Sequence, residues 1–150
     1  MEFYESEFLI ESEVPQNELI ISRTDLKGII TYANETFCKI SGYSVDELVG
    51  RSHNIVKHPD MPSSIFADLW ETLKREKQWT GIVKNLRKDK GFYWVYAIVS
   101  GVYKNGELVE YKSLRTPIEY EDKLRYQKFY DKIRQENGEM IRKIIYEKEV

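Results

Sequence analysis

Runs of β-branched and other apolar residues, separated by polar turn residues, mark five strands along the chain, two near the start and three near the end. Two β-branched runs, 18–23 and 29–33, flank the turn residues Asp25-Leu26-Lys27-Gly28, a pattern typical of a β-hairpin. Three longer strand patterns follow, at 78–87, 92–103 and 108–116. Short turns containing Gly or Asn separate them, so they are predicted to pair as antiparallel neighbours.

Helical patterns fill the middle of the chain and its end. Asn34 is a favourable N-cap for a short helix ending at Gly42, and Ser44 with Glu47 forms a capping box that opens another. Apolar residues at helical spacing predict an amphipathic helix over 63–75. A charged helical pattern extends from about 118 to 149 and is interrupted near Asn137-Gly138.

This order of elements predicts an α+β fold with one five-stranded antiparallel sheet, short helices on one face and a C-terminal helix. Residues 1–17 are expected to dock as an N-terminal cap, 18–118 to form the main domain, and 119–150 to form an amphipathic helical tail. An interrupted apolar stripe on the tail indicates a docking face for a second copy or a partner; it comprises Tyr120, Leu124, Tyr130, Ile133, Met140 and Ile144.

The segment 52–62 has the highest density of residues that could bind a ligand or take part in catalysis. It contains both histidines of the chain, His53 and His58, and two of its four prolines. Proline disfavours helix for the residue before it, so the segment is predicted to be a shaped loop. Such a loop holds imidazole, ammonium and carboxylate groups close together, which is typical either of a binding site or of a capped turn before a helix.

Composition narrows the classes of function. The net charge of −2 argues against a nucleic-acid partner. A single cysteine, Cys38, excludes an internal disulfide and favours a reducing compartment. The start lacks the pattern of a signal peptide, and no apolar run reaches the length of a membrane span. These features predict a cytoplasmic protein without direct membrane insertion.

Several short sequence motifs resemble those of a known family. They are TYANETF at 31–37, SGY at 41–43, HNIVKHPDMP at 53–62, FADLW at 66–70, WTGIVKN at 79–85 and YWV at 93–95. In these motifs and in the order of its elements, the chain resembles the flavin-binding PAS domains of bacterial aerotaxis (energy-taxis) receptors. The resemblance spans about residues 18 to 118, and the block from His53 to Asn85 is its most specific part.

The resemblance implies a non-covalently bound FAD whose redox state reports on electron transport or oxygen. The family's flavin-associated positions fall on Asn34, Lys57, His58, Asp60 and Trp79, with Trp70 close to the pocket. The family usually has arginine where this chain has Lys57. Lysine keeps the positive charge but lacks the bidentate fork with which arginine grips a diphosphate.

The residue types also suit a flavin on their own chemistry, since an isoalloxazine needs apolar walls, a few aimed polar groups and a cationic patch. Candidate walls are Trp70, Trp79, Tyr93 and Trp94; candidate amides are Asn34 and Asn85; candidate cations are Lys57, Lys84 and Arg51. Core packing is the preferred interpretation of Trp94 and of Cys38. Asn34 is also expected to cap a helix, and Asp60 to order the loop.

Two other classes stay open at this point. One is a haem-binding PAS gas sensor with His53 or His58 as axial ligand; the other is a cofactor-free PAS interaction module. An enzyme is disfavoured, because the spacing of Cys38, the histidines and the aspartates in the sequence matches neither a catalytic cysteine–histidine pair nor a metal-binding motif. As a sensor, the chain is expected to relay its state to a separate membrane-bound chemotaxis-type signalling protein, which would recruit it to the inner membrane face.

Overall fold

A computed structural model describes residues 10–139 and shows one five-stranded antiparallel sheet. The strands are β1 (Ile20–Thr24), β2 (Ile30–Ala33), β3 (Gln78–Leu86), β4 (Phe92–Lys104) and β5 (Glu107–Thr116). Their order in space is β2-β1-β5-β4-β3, so the first strand pairs with the last and β3 forms one edge. The α+β class and the antiparallel sheet predicted from the sequence are confirmed.

The α-helices fall close to their predicted positions. They are α1 (Glu35–Ser41), α2 (Val45–Leu48), α3 (Ser63–Arg75) and α4 (Tyr120–Glu136). A 3-10 helix (His53–Val56), capped by the Ser52 side chain, also forms inside the segment 52–62, which was predicted to be a loop throughout. Asn34 caps α1 by accepting a hydrogen bond from the backbone of Phe37. The predicted capping box of α2 is present. None of the helices within residues 10–139 is long and apolar enough to cross a membrane.

Side chains alternate between two faces of the sheet because successive residues of a strand point to opposite sides. We call the face that bears Trp79, Val83 and Asn85 the inner face, and the other the outer face. Alpha helices α1 to α3 and the 3-10 helix cover the inner face. The main core lies between these layers, where Ile20, Phe37 and Val95 are almost fully buried.

The tail helix α4 packs on the outer face of its own sheet. The Tyr130 ring stacks on Trp94 at 6.4 Å between centroids, and its hydroxyl donates to the carbonyl oxygen of Ile82 at 2.5 Å. Ile133 also packs against the core, whereas Leu124 is half exposed. The predicted tail stripe is therefore divided rather than continuously exposed within the described residues.

The helix α4 ends at Glu136, where Gly138 adopts a positive φ of 73°. This end agrees with the interruption predicted near Asn137-Gly138. Met140 and Ile144 of the predicted stripe lie outside the described residues, as do the first nine residues of the predicted N-terminal cap. The domain boundaries at 17 and 118 stay predictions.

Candidate functional site

A cavity of about 610 Å³ lies between the inner face of the sheet and the layer formed by the 3-10 helix, the following loop and α3. Its size is within the range of small-molecule and cofactor sites. Apolar side chains supply much of its wall; they include Val56, Phe66, Leu69, Val83, Ala97 and Val99. A few polar side chains from β1, β3 and β5 also line the cavity.

Trp79 forms a broad aromatic part of the cavity wall. The indole folds over Gly81, the next residue on the same face of β3, where an added Cβ would lie 2.4 Å from a ring carbon of Trp79. The ring nitrogen Nε1 donates to Oδ2 of Asp68 on α3 at 2.9 Å. A glycine below the ring and a hydrogen bond at its edge therefore fix the orientation of Trp79.

Three polar side chains meet at the part of the cavity next to β1 and β5. One guanidinium nitrogen of Arg115 donates to Oγ of Ser22 at 2.6 Å, and another lies 3.4 Å from Nε2 of His53. His53 Nε2 is also 3.0 Å from the Ser22 hydroxyl. The Phe37 ring lies 4.5 Å below the guanidinium and stacks on the imidazole at 5.6 Å.

The Arg115 guanidinium is a buried cation. Its exposed fraction is 2%, its Nε has no hydrogen-bond partner, and no carboxylate within residues 10–139 forms an ion pair with it. Burial lowers the pKa of Arg115 to about 10, which leaves it charged at neutral pH. Burial of an unpaired charge is unfavourable, so this arrangement is suited to an electron-rich ligand.

The neighbouring His53 is neutral in this environment. Burial, followed by repulsion from Arg115, lowers the pKa of its imidazole to about 3. A neutral imidazole offers one donor and one acceptor nitrogen. The polar part of the cavity thus combines a permanent cation with a neutral hydrogen-bonding ring.

The loop after the 3-10 helix also brings a cation to the cavity. Lys57 contributes to the lining, and its Nζ lies 4.5 Å from the centroid of Phe66. The backbones of Lys57 and Asn85 form an isolated antiparallel bridge. The loop is therefore attached to β3 beside a mostly buried amide that also lines the cavity.

The structure brings four of the seven predicted site residues to this cavity: Lys57, Trp70, Trp79 and Asn85. Trp70 is 45% exposed and makes an edge-to-face contact with Tyr111, with ring centroids 5.4 Å apart. Asn34, His58 and Asp60 do not contribute to its lining. A binding role for each of the seven stays a prediction.

Asn34 connects elements beside the cavity. Besides capping α1, its Oδ1 accepts from the backbone of Ile21 at 3.0 Å and its amide donates to the carbonyl of Leu19 at 2.8 Å. The side chain thus ties α1 to the start of β1. Its observed contacts are those of a structural cap.

His58 and Asp60 lie in the same loop as Lys57, on the side away from the cavity. His58 is fully buried, and its Nδ1 accepts a hydrogen bond from the backbone of Asp60 at 2.9 Å. Asp60 is buried as well and forms an ion pair with Arg134 of α4. These contacts agree with the predicted role of Asp60 in ordering the loop.

Four other suggested groups do not line the cavity. Lys84 and Trp94 lie on the outer face, where Nζ of Lys84 donates to Gln127 of α4 at 3.0 Å. Tyr93 is fully buried in the core, and Arg51 does not line the cavity either. Within the described residues no group of three or more His, Cys, Asp or Glu side chains is placed to hold a metal ion.

Comparison with known families identifies the architecture. A family model described as the PAS fold matches residues 30–115, more than half of the chain. This chain belongs to the PAS domain family.

Two curated relatives place this PAS domain among bacterial signalling proteins. It is 50% identical over 97 residues to the aerotaxis receptor of Escherichia coli (strain K12), covering 65% of this chain and 19% of the receptor. It is 33% identical over 106 residues to the nitrogen fixation regulatory protein of Klebsiella pneumoniae, covering 70% and 21%. The chain therefore spans about a fifth of the length of these relatives.

Solved structures show the same fold. The PAS domain of a protein from Colwellia psychrerythraea has a TM-score of 0.62 at 25% identity, covering 67% of this chain and 86% of that chain. A light-oxygen-voltage domain studied with a flavin analogue has a TM-score of 0.67 at 20% identity, covering 81% and 90%. These likenesses show the fold, and the relatives support a sensory signal-transduction domain.

Sequence reasoning missed Ser22 and Arg115 in the cavity of this PAS domain and Gly81 beneath the Trp79 ring, and it treated His53 only as an alternative iron ligand. A usable signal existed for Gly81, because it lies two residues from Trp79 and so shares its face of the strand. Ser22 and Arg115 are 93 positions apart, and their contact depends on the pairing of β1 with β5. No local pattern indicates that pairing.

Proposed function

We propose that this chain is the sensor module of a redox or energy-taxis signalling system, which binds FAD non-covalently in the cavity and relays the redox state of the flavin to a separate chemotaxis-type signalling protein. The observation that carries the proposal is a cavity that joins a fixed tryptophan wall to the buried guanidinium of Arg115, which forms no ion pair with a carboxylate of residues 10–139. The 50% identity to an aerotaxis receptor supports the same system.

The cavity residues fit the chemistry of a flavin. An isoalloxazine is flat and aromatic, with carbonyl oxygens and ring nitrogens along one edge, and it becomes more electron-rich on reduction. Trp79 supplies a flat wall, Asn85 an amide that donates or accepts, and Arg115 a cation for the electron-rich edge. Lys57 would neutralise part of the diphosphate as a mobile point charge.

The remaining predicted residues take supporting roles in this proposal. Trp70, exposed beside Tyr111, would border the outer part of the ligand. Asn34 would hold α1 against β1, and His58 with Asp60 would fix the loop that carries Lys57. Their contribution to binding would then be exerted through the walls of the cavity.

The contacts of His53 favour flavin over haem. An axial histidine coordinates iron through a nitrogen lone pair, but Nε2 of His53 lies 3.0 Å from the Ser22 hydroxyl and 3.4 Å from the Arg115 guanidinium. A cation beside that nitrogen also disfavours a bound metal ion. His58 does not contribute to the cavity lining.

The position of Cys38 disfavours a photoreceptor that forms a flavin–cysteine adduct. Cys38 is the only cysteine of the chain, lies on α1 and does not line the cavity. Burial raises the pKa of its thiol, which lowers the fraction of reactive thiolate at neutral pH. A redox-sensing role, without enzymatic turnover, is therefore the proposed use of the flavin.

The proposal places the protein in the cytoplasm, recruited to the inner membrane face by a membrane-bound signalling partner, with a homodimer as an additional assembly. Its direct test is to purify the protein, reconstitute it with FAD if necessary, release the ligand by denaturation and identify it by chromatography. FAD is expected. Recovery of haem, or failure to take up any flavin, would refute the proposal.

A further inference from the structure

The loop that carries Lys57 passes around the edge of the sheet. Lys57 lines the cavity on the inner side, and its backbone bridges to Asn85 of the edge strand β3. Four residues later, Sδ of Met61 accepts a hydrogen bond from the backbone of Lys84 at 3.4 Å. The loop therefore follows β3 closely and connects the cavity wall to the opposite face of the sheet.

On the outer side this loop is joined to α4 by a buried ion pair. Oδ1 of Asp60 lies 3.5 Å from a guanidinium nitrogen of Arg134, and the two side chains are 3% and 4% exposed. Arg134 also contacts Asp131 one turn earlier on α4, at 3.4 Å. A second contact follows beyond the helix, where Glu139 accepts from the backbone and hydroxyl of Ser63, each at 3.2 Å.

The other end of α4 is held by different residues. Nζ of Lys123 lies 2.6 Å from Glu11 and 2.8 Å from Glu13, both in the segment that precedes β1. Neither Glu11, Glu13 nor Lys123 lines the cavity. The loop that borders the cavity thus contacts the C-terminal half of α4, whereas the segment before β1 holds the beginning of the helix.

We infer that occupancy of the cavity is coupled to the docking of the C-terminal half of α4 through the Asp60–Arg134 ion pair. The inference rests on the proposed function for the identity of the ligand, FAD. A ligand that engages Lys57 orders the loop, which keeps Asp60 in place for Arg134. Loss of the ligand loosens the loop, and the end of α4 detaches while Lys123 retains its beginning.

The ion pair is suited to this coupling because both side chains are almost fully buried, and separating two buried charges is unfavourable. A small shift of the loop can therefore move the C-terminal end of α4 from a docked to an undocked state. Coupling between two binding events is reciprocal. Docking of α4 must favour FAD binding by the same factor by which FAD favours docking.

Hydrogen exchange on the wild-type chain, measured without and with saturating FAD, tests the coupling directly. Exchange in 130–139 is expected to slow on FAD binding by on the order of 5-fold, the lower part of the usual range for allosteric coupling. Exchange at 120–125, which Glu11 and Glu13 hold through Lys123, is expected to change less. Equal FAD effects on both segments, or no effect on 130–139, would overturn the inference.

Affinity measurements on matched variants test the reciprocal effect. Arg134→Gln is expected to weaken FAD binding by about the same 5-fold factor, whereas Lys123→Gln, which breaks the other attachment of α4, should leave the affinity unchanged. Arg134→Lys keeps the charge and should restore most of the affinity. A folded Arg134→Gln protein with wild-type affinity would overturn the coupling.

The two proposals fail in different ways. If the wild-type chain does not bind FAD, the proposed function is refuted and the coupling falls with it. If the chain binds FAD but 130–139 exchanges at the same rate in both forms, only the coupling is refuted. Exchange on the wild-type chain gives this answer even if Arg134→Gln fails to fold.

Discussion

At the scale of single residues, Arg115 is the strongest constraint on what the cavity binds. Its guanidinium is 2% exposed, donates to Ser22 and has no carboxylate partner within residues 10–139. Such a residue lowers the stability of the empty protein in exchange for a favourable interaction with a ligand. Stability and affinity should therefore respond to its replacement with opposite signs.

The variant Arg115→Met tests whether stability and FAD affinity change in opposite directions. Because a buried unpaired charge is replaced by an apolar side chain of similar length, the unfolding free energy of the ligand-free protein should rise by about 1–2 kcal/mol. FAD affinity should fall at least about 10-fold, since a charge-assisted hydrogen bond is lost. Denaturant titration and calorimetric titration measure the two effects, and Arg115→Lys serves as the charge-preserving control. A less stable variant with unchanged affinity would contradict the assignment.

Trp79 and Gly81 form a second residue-scale unit. Trp79→Ala should strongly lower FAD occupancy, because a stacked aromatic surface and its buried area are lost together. Gly81→Ala should also lower occupancy, since its Cβ would displace the indole from its position over the strand. The flavin-to-protein absorbance ratio after reconstitution measures both. Ile82→Val, at the neighbouring outward position, is the control and should leave occupancy unchanged.

At the scale of elements, strands and short helices were predictable where their signals are local. The caps at Asn34 and Ser44 and the Asn105-Gly106 turn each depend on residues close in sequence, and the structure has all three. Faces of strands were also predictable in principle. Trp79 and Asn85 are six apart and share a face, whereas Lys84, five from Trp79, must point to the other side.

The packing of α4 was not predictable from its apolar stripe alone. An apolar stripe indicates that a helix packs against another apolar surface. It does not indicate whether that surface belongs to a partner protein or to the outer face of the helix's own sheet. The stack of Tyr130 on Trp94 and the Lys84–Gln127 hydrogen bond depend on the register of β3 and β4. Those contacts emerge only when the sheet is assembled.

Two substitutions on α4 distinguish its docked side from its exposed side. Tyr130→Ala should lower the unfolding free energy by about 3 kcal/mol, because a large buried aromatic and its hydrogen bond to Ile82 are removed. Leu124→Ala, at a position that is 50% exposed, should change it by less than about 0.5 kcal/mol. Urea titrations give both values. Equal small effects would mean that α4 is not docked in solution.

At the scale of the whole molecule, His53 makes stability depend on pH. Its folded-state pKa of about 3 lies below the ordinary value of 6.5, so the unfolded chain binds the extra proton between these values. The His53 contribution is therefore fully present above about pH 6.5 and is lost as the pH falls toward 3. The slope from this residue approaches about 1.4 kcal/mol per pH unit.

Urea titrations from pH 7 to pH 4.5 measure that slope, and His53→Gln should flatten it. The pKa of Glu47 is lowered to about 2, mainly by a hydrogen bond from Lys88. Glu47 therefore also lowers the free energy of unfolding as the pH falls. This effect begins only near the ordinary value of 4.5, below most of the His53 range. An unchanged slope in His53→Gln would show that folding does not lower the pKa of His53.

The central claim concerns the molecule as a redox sensor, in which a flavin at the inner face changes the state of a helix on the outer face. Two routes connect them: β5, which leads through Pro117 into α4, and the loop that places Asp60 against Arg134. Reduction adds electrons and protons to the isoalloxazine, so the groups at its edge must exchange donor and acceptor roles.

Hydrogen exchange on the FAD-loaded protein, compared between the oxidised form and the anaerobic dithionite-reduced form, tests this claim most directly. We predict a reversible change in protection at residues 53–62 and in the described part of the tail, 118–139, on the order of 5-fold or more. Unchanged protection in both regions, with the flavin verifiably reduced by its absorbance, would contradict the account.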